Sequence, residues 1–208
     1  MRRPLFSDLQ KDVFMSLFFD AAKAWDALTK ISYRFDVARK QKLNKVQIAF
    51  PVEGFPHAAG MQYARDVDFG IRAPQYAGPL LIPAILNNKI DPSKIEKSRN
   101  WSRIRGRLAS IISLQKALDG DFEIAIFEKE SVKEYSKIDA KYIIRNVISN
   151  VVYFVFLDES SGLFYCRSTF EQSTVDYFRN QKKLTVLYKE KTIDTISQVI
   201  YIAARYTP

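Results

Sequence analysis

The chain is poor in the residues that thiol and metal chemistry need. Its 208 residues hold one cysteine, Cys166, and one histidine, His57. A single cysteine closes no intrachain disulfide and suits a reducing compartment. One His and one Cys exclude Cys₂His₂, three-His and H-E-x-x-H metal sites within a single chain. The sequence also has no G-x-x-x-x-G-K-[S/T], no G-x-G-x-x-G and no G-x-S-x-G, which argues against P-loop, Rossmann and α/β-hydrolase sites. Two spaced acidic pairs, Asp66/Asp68 and Asp119/Asp121, leave a carboxylate magnesium site formally open, although acidic pairs beside loops are mostly solvated turns. No uncharged run is long enough for a membrane-spanning helix. The start, Met1-Arg2-Arg3-Pro4-Leu5-Phe6, is basic, but Asp8, Lys11 and Asp12 interrupt the apolar stretch a signal peptide requires. The expectation is a cytoplasmic protein with no membrane partner and no cofactor. Repeats, low-complexity tracts and Gly/Ser linkers are absent too, so 1–208 reads as a single domain.

What is present is a core and a charge. Apolar residues make up 47% and aromatics 13%, more than a disordered chain carries. Lys and Arg number 32 against 23 Asp and Glu, a net charge of +9. Such a balance points to an acidic partner: nucleic acid, anionic lipid or an acidic protein.

The patterning predicts an α+β fold, with N-terminal helices and a β-hairpin followed by an antiparallel meander. Residues 1–30 form the N-terminal helix. Ser7 and Gln10 have capping-box spacing, and Leu9, Val13, Leu17, Ala21, Ala24 and Leu28 recur at helical period, widened by Phe14, Phe18 and Trp25. Residues 31–120 hold a hairpin and further helices: Ser32–Ala38 and Lys45–Phe50 joined by Arg39–Asn44, short helices over Pro56–Ala64 and Pro79–Asn88, a loop over Asp66–Pro79, and a long helix Arg99–Asp119. Ile104, Leu108, Ile111, Ile112 and Leu118 line that last helix, and Gly120 ends it. Residues 121–192 carry strands at Phe122–Phe127, Tyr142–Val147, Val151–Asp158, Leu163–Phe170 and Leu184–Lys189, with hairpin-like turns at Ser149-Asn150 and Glu159–Gly162. Ser173–Gln181 reads as a short helix, and within the tail 193–208 the stretch Ile193–Ala204 suits strand or helix.

Three groups of residues are candidates for chemistry. His57 follows Pro56, which fits the first position of a helix. A helix N-terminus lowers a histidine's pKa, and a neutral imidazole can take a proton. Ala58, Ala59 and Gly60 are small. The plainer reading is a half-exposed histidine tied to a carbonyl. The second group is Leu163–Phe170, where strict alternation puts Phe164, Cys166 and Phe170 in the core and Tyr165, Arg167 and Thr169 on the other face. Arg167 beside Ser168 and Thr169 makes a phosphate clamp, and Tyr165 offers a ring for an unstacked base. An ordinary solvent-facing strand is the alternative. The third is basic: Arg99, Arg103, Arg105 and Arg107 near one helix, with Arg103 and Arg107 sharing a face; Lys182, Lys183, Lys189 and Lys191 around the last strand; and Arg39, Lys40 and Lys42 in the first hairpin. Basic residues with tyrosines suit single-stranded RNA, although charge runs are usually solvated faces.

The order of these segments resembles a known group. It runs from Ala21–Leu28 and Val46–Phe50, through Phe55-Pro56-His57-Ala58-Ala59-Gly60-Met61 and an arginine-bearing helix, to Ile138–Tyr142, Tyr153–Leu157, Arg167-Ser168-Thr169-Phe170 and Gln181–Lys189. Over about 20–191 the chain resembles a phage- and mobile-element-associated branch of the barnase–EndoU–colicin–RelE nuclease superfamily. Its sharpest pieces are F-x-H-x-x-G and R-x-[S/T]-F. Ala58, Ala59 and Met61 stand where that branch has a bulkier pattern. The resemblance implies a metal-independent ribonuclease with helices on a four-stranded antiparallel sheet, acting as a toxin or defence effector, with an antitoxin or immunity protein as a further partner. It implies His57 and Arg167 as the active-site pair, assisted by Ser168 or Thr169.

The corresponding reaction is attack of the RNA's own 2′-hydroxyl on phosphorus, giving a cyclic phosphate and a free 5′-hydroxyl. It needs one proton removed, one donated and a phosphorane stabilised. His57 is the candidate base or acid. Arg167 would offset the developing charge, helped by Lys183 or Lys189, while Tyr165, Arg103 and Arg107 would hold RNA. With no second histidine, Glu53 and Glu171 are the carboxylates nearest the two motifs. A non-catalytic RNA- or protein-binding module on the same fold is the other reading.

Overall fold

The computed structural model describes residues 6–68, 78–132 and 136–208, with side chains from Leu17 onward except that of Pro92. The Ser7/Gln10 cap and the apolar positions Leu9, Val13 and Phe14 therefore lie outside the described side chains, and most of the Asp66–Pro79 loop lies outside the described residues. The elements run α1 (Phe6–Leu28), β1 (Ile31–Arg39), β2 (Lys42–Ala49), a single turn α2 (Phe55–Ala58), α3 (Leu81–Leu86), α4 (Pro92–Glu96) and α5 (Trp101–Asp119). They continue with β3 (Phe122–Ile126), β4 (Tyr142–Ile148), β5 (Val151–Ser160), β6 (Leu163–Glu171), β7 (Lys182–Ile193) and β8 (Ile196–Ile202). No described helix is long and apolar enough to cross a membrane.

The α+β class holds, but the sheet is not a four-stranded meander. Its order is β1-β2-β6-β5-β4-β3-β7-β8, and β7 also pairs with β1. The first seven strands in that order thus close into a barrel, and β8 extends it from β7. Neighbours are antiparallel except β2 and β6, which run parallel and pair only at Ile48↔Phe164 and Ala49↔Tyr165. Closure on the other side is extensive, from Ile31↔Ile193 to Ala38↔Thr185. Closing a sheet removes free edges. The seam joins strands about 150 positions apart, beyond the reach of any local pattern.

Other corrections are local. The first hairpin turns on Lys40-Gln41 alone, so its strands extend into Arg39–Asn44. Ser173–Gln181 is not helical, and Ile193–Ala204 resolves into β8 rather than a loose tail. The Pro56–Ala64 helix is two short turns hinged at Gly60. Ser149-Asn150 is a tight turn as read, while the Glu159–Gly162 connection narrows to Ser161-Gly162 because β5 runs on to Ser160; both turns have their two residues at positive φ, which matches the right-handed twist of the strands they join.

One face of the seven barrel strands shares a single core with α1, α3 and α5. Tyr33, Phe35, Val46, Ile48, Ile144, Val155 and Leu157 meet Trp25, Leu28, Ile104, Leu108 and Ile111 there. A second core covers the opposite face of β3–β5, where Ala125, Ile143, Phe154 and Phe156 lie under Phe127, Val132 and Phe178. With both faces buried, β5 reads as the unbroken apolar run Val151–Leu157 instead of alternating. Ile112, assigned above to the apolar side of α5, faces solvent at 41% exposure.

Candidate active site

His57 is presented by burying everything around it. Phe55, Pro56, Ala58, Ala59 and Gly60 are all buried, and His57 alone of this run is exposed. Trp25 of α1 anchors the segment from behind: its indole N–H donates to the Pro51 carbonyl at 3.1 Å, and its ring meets Phe50 and Phe55 at centroid distances of 5.9 and 6.0 Å. The small residues beside His57 therefore serve close packing beneath it rather than room for a ligand.

Gly60 connects this turn to α5. It sits at φ +80°, and a Cβ there would lie 2.7 Å from the Arg107 Cδ. Only glycine meets both conditions, so the last residue of F-x-H-x-x-G makes the groove along which Arg107 passes.

Arg107 is 6% exposed. Its Nη1 donates to the Ser168 Oγ at 2.7 Å, and its guanidinium lies 5.3 Å from the Tyr63 ring centre and 5.4 Å from that of Phe170. Arg103, one turn earlier and exposed, stacks on Tyr63 at 4.5 Å. Burial works against the Arg107 charge, and so does Arg103; a guanidinium nonetheless stays protonated. Among the described residues Arg107 has no carboxylate partner.

Arg167 occupies a bulge. Phe156 pairs with Ser168 and Leu157 with Cys166, which leaves Arg167 without an opposite residue. A bulge re-aims the side chains around it. Strict alternation consequently fails here. Ser168 is buried at 3% exposure and Thr169 at 1%; Thr169 donates to the Phe154 carbonyl at 3.1 Å and does not share a solvent face with Arg167. Ser168 acts toward Arg107. Tyr165 is half-buried and tied by its hydroxyl, which accepts from Arg167 Nη1 at 3.4 Å and donates to Asp158 at 3.2 Å.

His57 and Arg167 are 110 positions apart in the chain, and their electrostatics meet. The His57 pKa is held below the ordinary histidine value, first by desolvation, then by the positive charges of Arg167 and Arg107. The direction agrees with the sequence reading, but the cause does not: α2 is one turn long and has no appreciable dipole. Burial first, and then the two guanidinium charges, favour the neutral imidazole.

Beside this cluster lies a cleft of about 680 Å³, lined by Arg103, Arg107, Tyr63, Phe170, Glu171 and Tyr177, with Ser136–Ile138 on its far wall. Glu171 thus joins Arg103 and Arg107, whereas Glu53, His57 and Arg167 do not line this cleft. Sequence reading missed Tyr63, Lys137 and Tyr177. A signal for the special status of Arg107 was available: with Ile104, Leu108 and Ile111 it completes a buried helical stripe, an odd place for arginine.

The two lysines expected to assist do not line the cleft. Lys189 is buried at 4% exposure, its ammonium donating to the Gly120 carbonyl at 2.5 Å and lying 4.4 Å from the Phe122 ring centre. Lys183 is exposed and paired with Glu123 at 2.5 Å. The acidic pairs are also engaged: Asp66 accepts from Ser98 and from the Arg99 amide, and Asp119 from Tyr33 and Lys191. No cluster of three His, Cys, Asp or Glu able to hold a metal occurs among the described residues.

His57 thus feels the charge of two arginines, one of which, Arg107, lines a basic aromatic cleft. No curated protein and no solved structure matches the chain. A family model does, over residues 18–205, and it includes the turn bearing His57 and the strand bearing Arg167. The chain belongs to that family, PBECR4, described as phage-Barnase-EndoU-ColicinE5/D-RelE like nuclease 4.

Proposed function

We propose that this nuclease is a metal-independent endoribonuclease that cuts RNA by internal 2′-hydroxyl attack. The observation that carries the reading is the exposed His57, set on a buried turn, whose protonation burial and the charges of Arg167 and Arg107 disfavour. His57 takes the 2′-hydroxyl proton. The 2′-oxygen then bonds to phosphorus, the bond to the 5′-oxygen breaks, and that oxygen leaves with a proton as a free hydroxyl. Arg107 and Arg167 stabilise the phosphorane, which carries more negative charge than the substrate phosphate. Ser168, Tyr63 and the Gly60 groove fix Arg107 in advance, so little reorganisation is needed when charge develops. Glu171, in the cleft, is the candidate donor to the leaving oxygen. Arg103 and Tyr63 would hold a flanking nucleotide by charge and stacking. A cytoplasmic toxin or defence effector of a phage or mobile element, held in check by an antitoxin or immunity protein, is the biological role that fits.

The test is product analysis. Single-stranded RNA incubated with the protein in EDTA should yield fragments ending in 2′,3′-cyclic phosphate and 5′-hydroxyl. The same RNA with one 2′-deoxy residue should resist cleavage at that position alone. Cleavage that appears only with magnesium, or that ignores the 2′-deoxy substitution, rejects the mechanism. Tight RNA binding without cleavage would instead favour a non-catalytic module.

A further inference from the structure

The basic hairpin tip takes no part in the His57 site. β1 and β2 end at Arg39 and Lys42, which face each other across the ladder with Lys40 and Gln41 between them. Like charges directly opposite repel. Lys40 and Gln41 hold φ of 48° and 64°, the left-handed turn that Asn-Gly adopts with least strain. The tip thus holds three cations together at two local costs. None of the three makes an ion pair among the described residues.

Beneath the tip, at the mouth of the barrel, is a groove of about 610 Å³. Arg39, Lys40 and Lys42 line it together with Lys141, whose ammonium is paired with Glu159, the half-buried Tyr142 and the edge of the buried Phe127, and none of its lining residues is a carboxylate. Unpaired cations beside a half-exposed tyrosine ring suit single-stranded nucleic acid, with phosphates on Arg39, Lys40 and Lys42 and a base against Tyr142. One segment joins this groove to the His57 region. Ser136, Lys137 and Ile138 wall the cleft beside Arg107, and Ala140, Lys141 and Tyr142 wall the groove. Ile138 and Ala140 are separated by at most about 7 Å of chain.

We infer that the barrel-mouth groove between the β1–β2 tip and Lys141-Tyr142 is a second binding site for single-stranded RNA, holding the strand as it leaves the cleft across residues 136–142. The inference rests on the ribonuclease reading for its substrate class.

The experiment uses the full chain carrying His57→Ala, so that RNA stays intact, with and without Arg39→Gln/Lys40→Asn/Lys42→Gln. Lys40→Asn suits the positive φ of the turn, so the hairpin is retained, and an unchanged or higher Tm checks this. Binding of a fluorescent 20-nucleotide RNA and of a tetranucleotide is followed by anisotropy over a salt series. Affinity for the 20-mer should fall about tenfold, and the slope of log K against log salt should flatten by about 1–2, or about 0.7 for each phosphate no longer neutralised. Tetranucleotide binding should not change. An unchanged 20-mer affinity and slope overturns the inference, and so does an equal loss on both RNAs. If polyglutamate binding is lost while RNA binding is kept, the groove belongs to an acidic protein and the inference also fails. Only binding is read, so a protein that holds this RNA but never cuts it would sink the ribonuclease reading and leave this one standing.

Discussion

Both ends of α5 bury cations, two lysines at one and an arginine toward the other, and treat them differently. At the C-terminal end Lys191 pairs with Asp119 at 2.7 Å, and Lys189 donates to the carbonyls of Asp119 and Gly120. Helix C-termini favour positive charge, and a buried ion there is matched by acceptors. Toward the N-terminal end Arg107 is as deeply buried, yet its neighbours are two aromatic faces, one hydroxyl and another cation, Arg103. The first arrangement is complete without a ligand. The second gathers positive charge, and among the described residues Arg107 has no ion-pair partner. Under the proposed function a phosphate of the substrate would supply the balancing charge.

This contrast can be broken experimentally. The largest effect expected is on catalysis: His57→Ala should lower kcat/KM on RNA by about 10²–10⁴-fold and leave the Tm nearly unchanged, because the side chain is exposed. Next comes the complete end. Asp119→Ala strands Lys191 and removes an acceptor from Tyr33, so unfolding free energy should drop by about 3 kcal/mol in urea titrations, with cleavage by the remaining folded enzyme unchanged. Gly60→Ala should cost about 1–2 kcal/mol from the left-handed backbone and the clash with Arg107. Unlike Asp119→Ala, it should also reduce cleavage, since Arg107 must move. The smallest effect is spectroscopic. Arg167→Gln removes one of the charges depressing His57, so the single histidine resonance should titrate at higher pH than in the parent. The base form is then lost over a wider acidic range, and the acid limb of the pH–rate profile should shift upward with it.

Much of the fold was readable wherever a local signal exists. The periodic apolar residues of α1 and α5, the β-rich runs of β3–β6 and the paired positive-φ turns each announce their own structure. Barrel closure is unreadable for a physical reason: β1 meets β7 through backbone hydrogen bonds that carry no side-chain signature. In the site, His57 and Arg167 stand out by residue type and neighbourhood. The roles of Ser168 and Thr169 were misread because one unpaired residue at Arg167 inverts the alternation that follows. Lys189 looked like a surface charge because sequence cannot show that β7 lies over the end of α5. Arg107 ranked with the other helix arginines until its place opposite Gly60 was known.

The most direct measurement replaces Arg107 by methionine, similar in length and uncharged, and reads Tm and RNA cleavage in EDTA on the same sample. If the guanidinium is reserved for substrate, removing an uncompensated buried charge leaves the Tm unchanged or raises it, while cleavage falls by about 10²–10³-fold. A marked fall in Tm with cleavage by the folded fraction intact would show Arg107 to be an ordinary structural residue, and the proposed phosphate site would be lost with it.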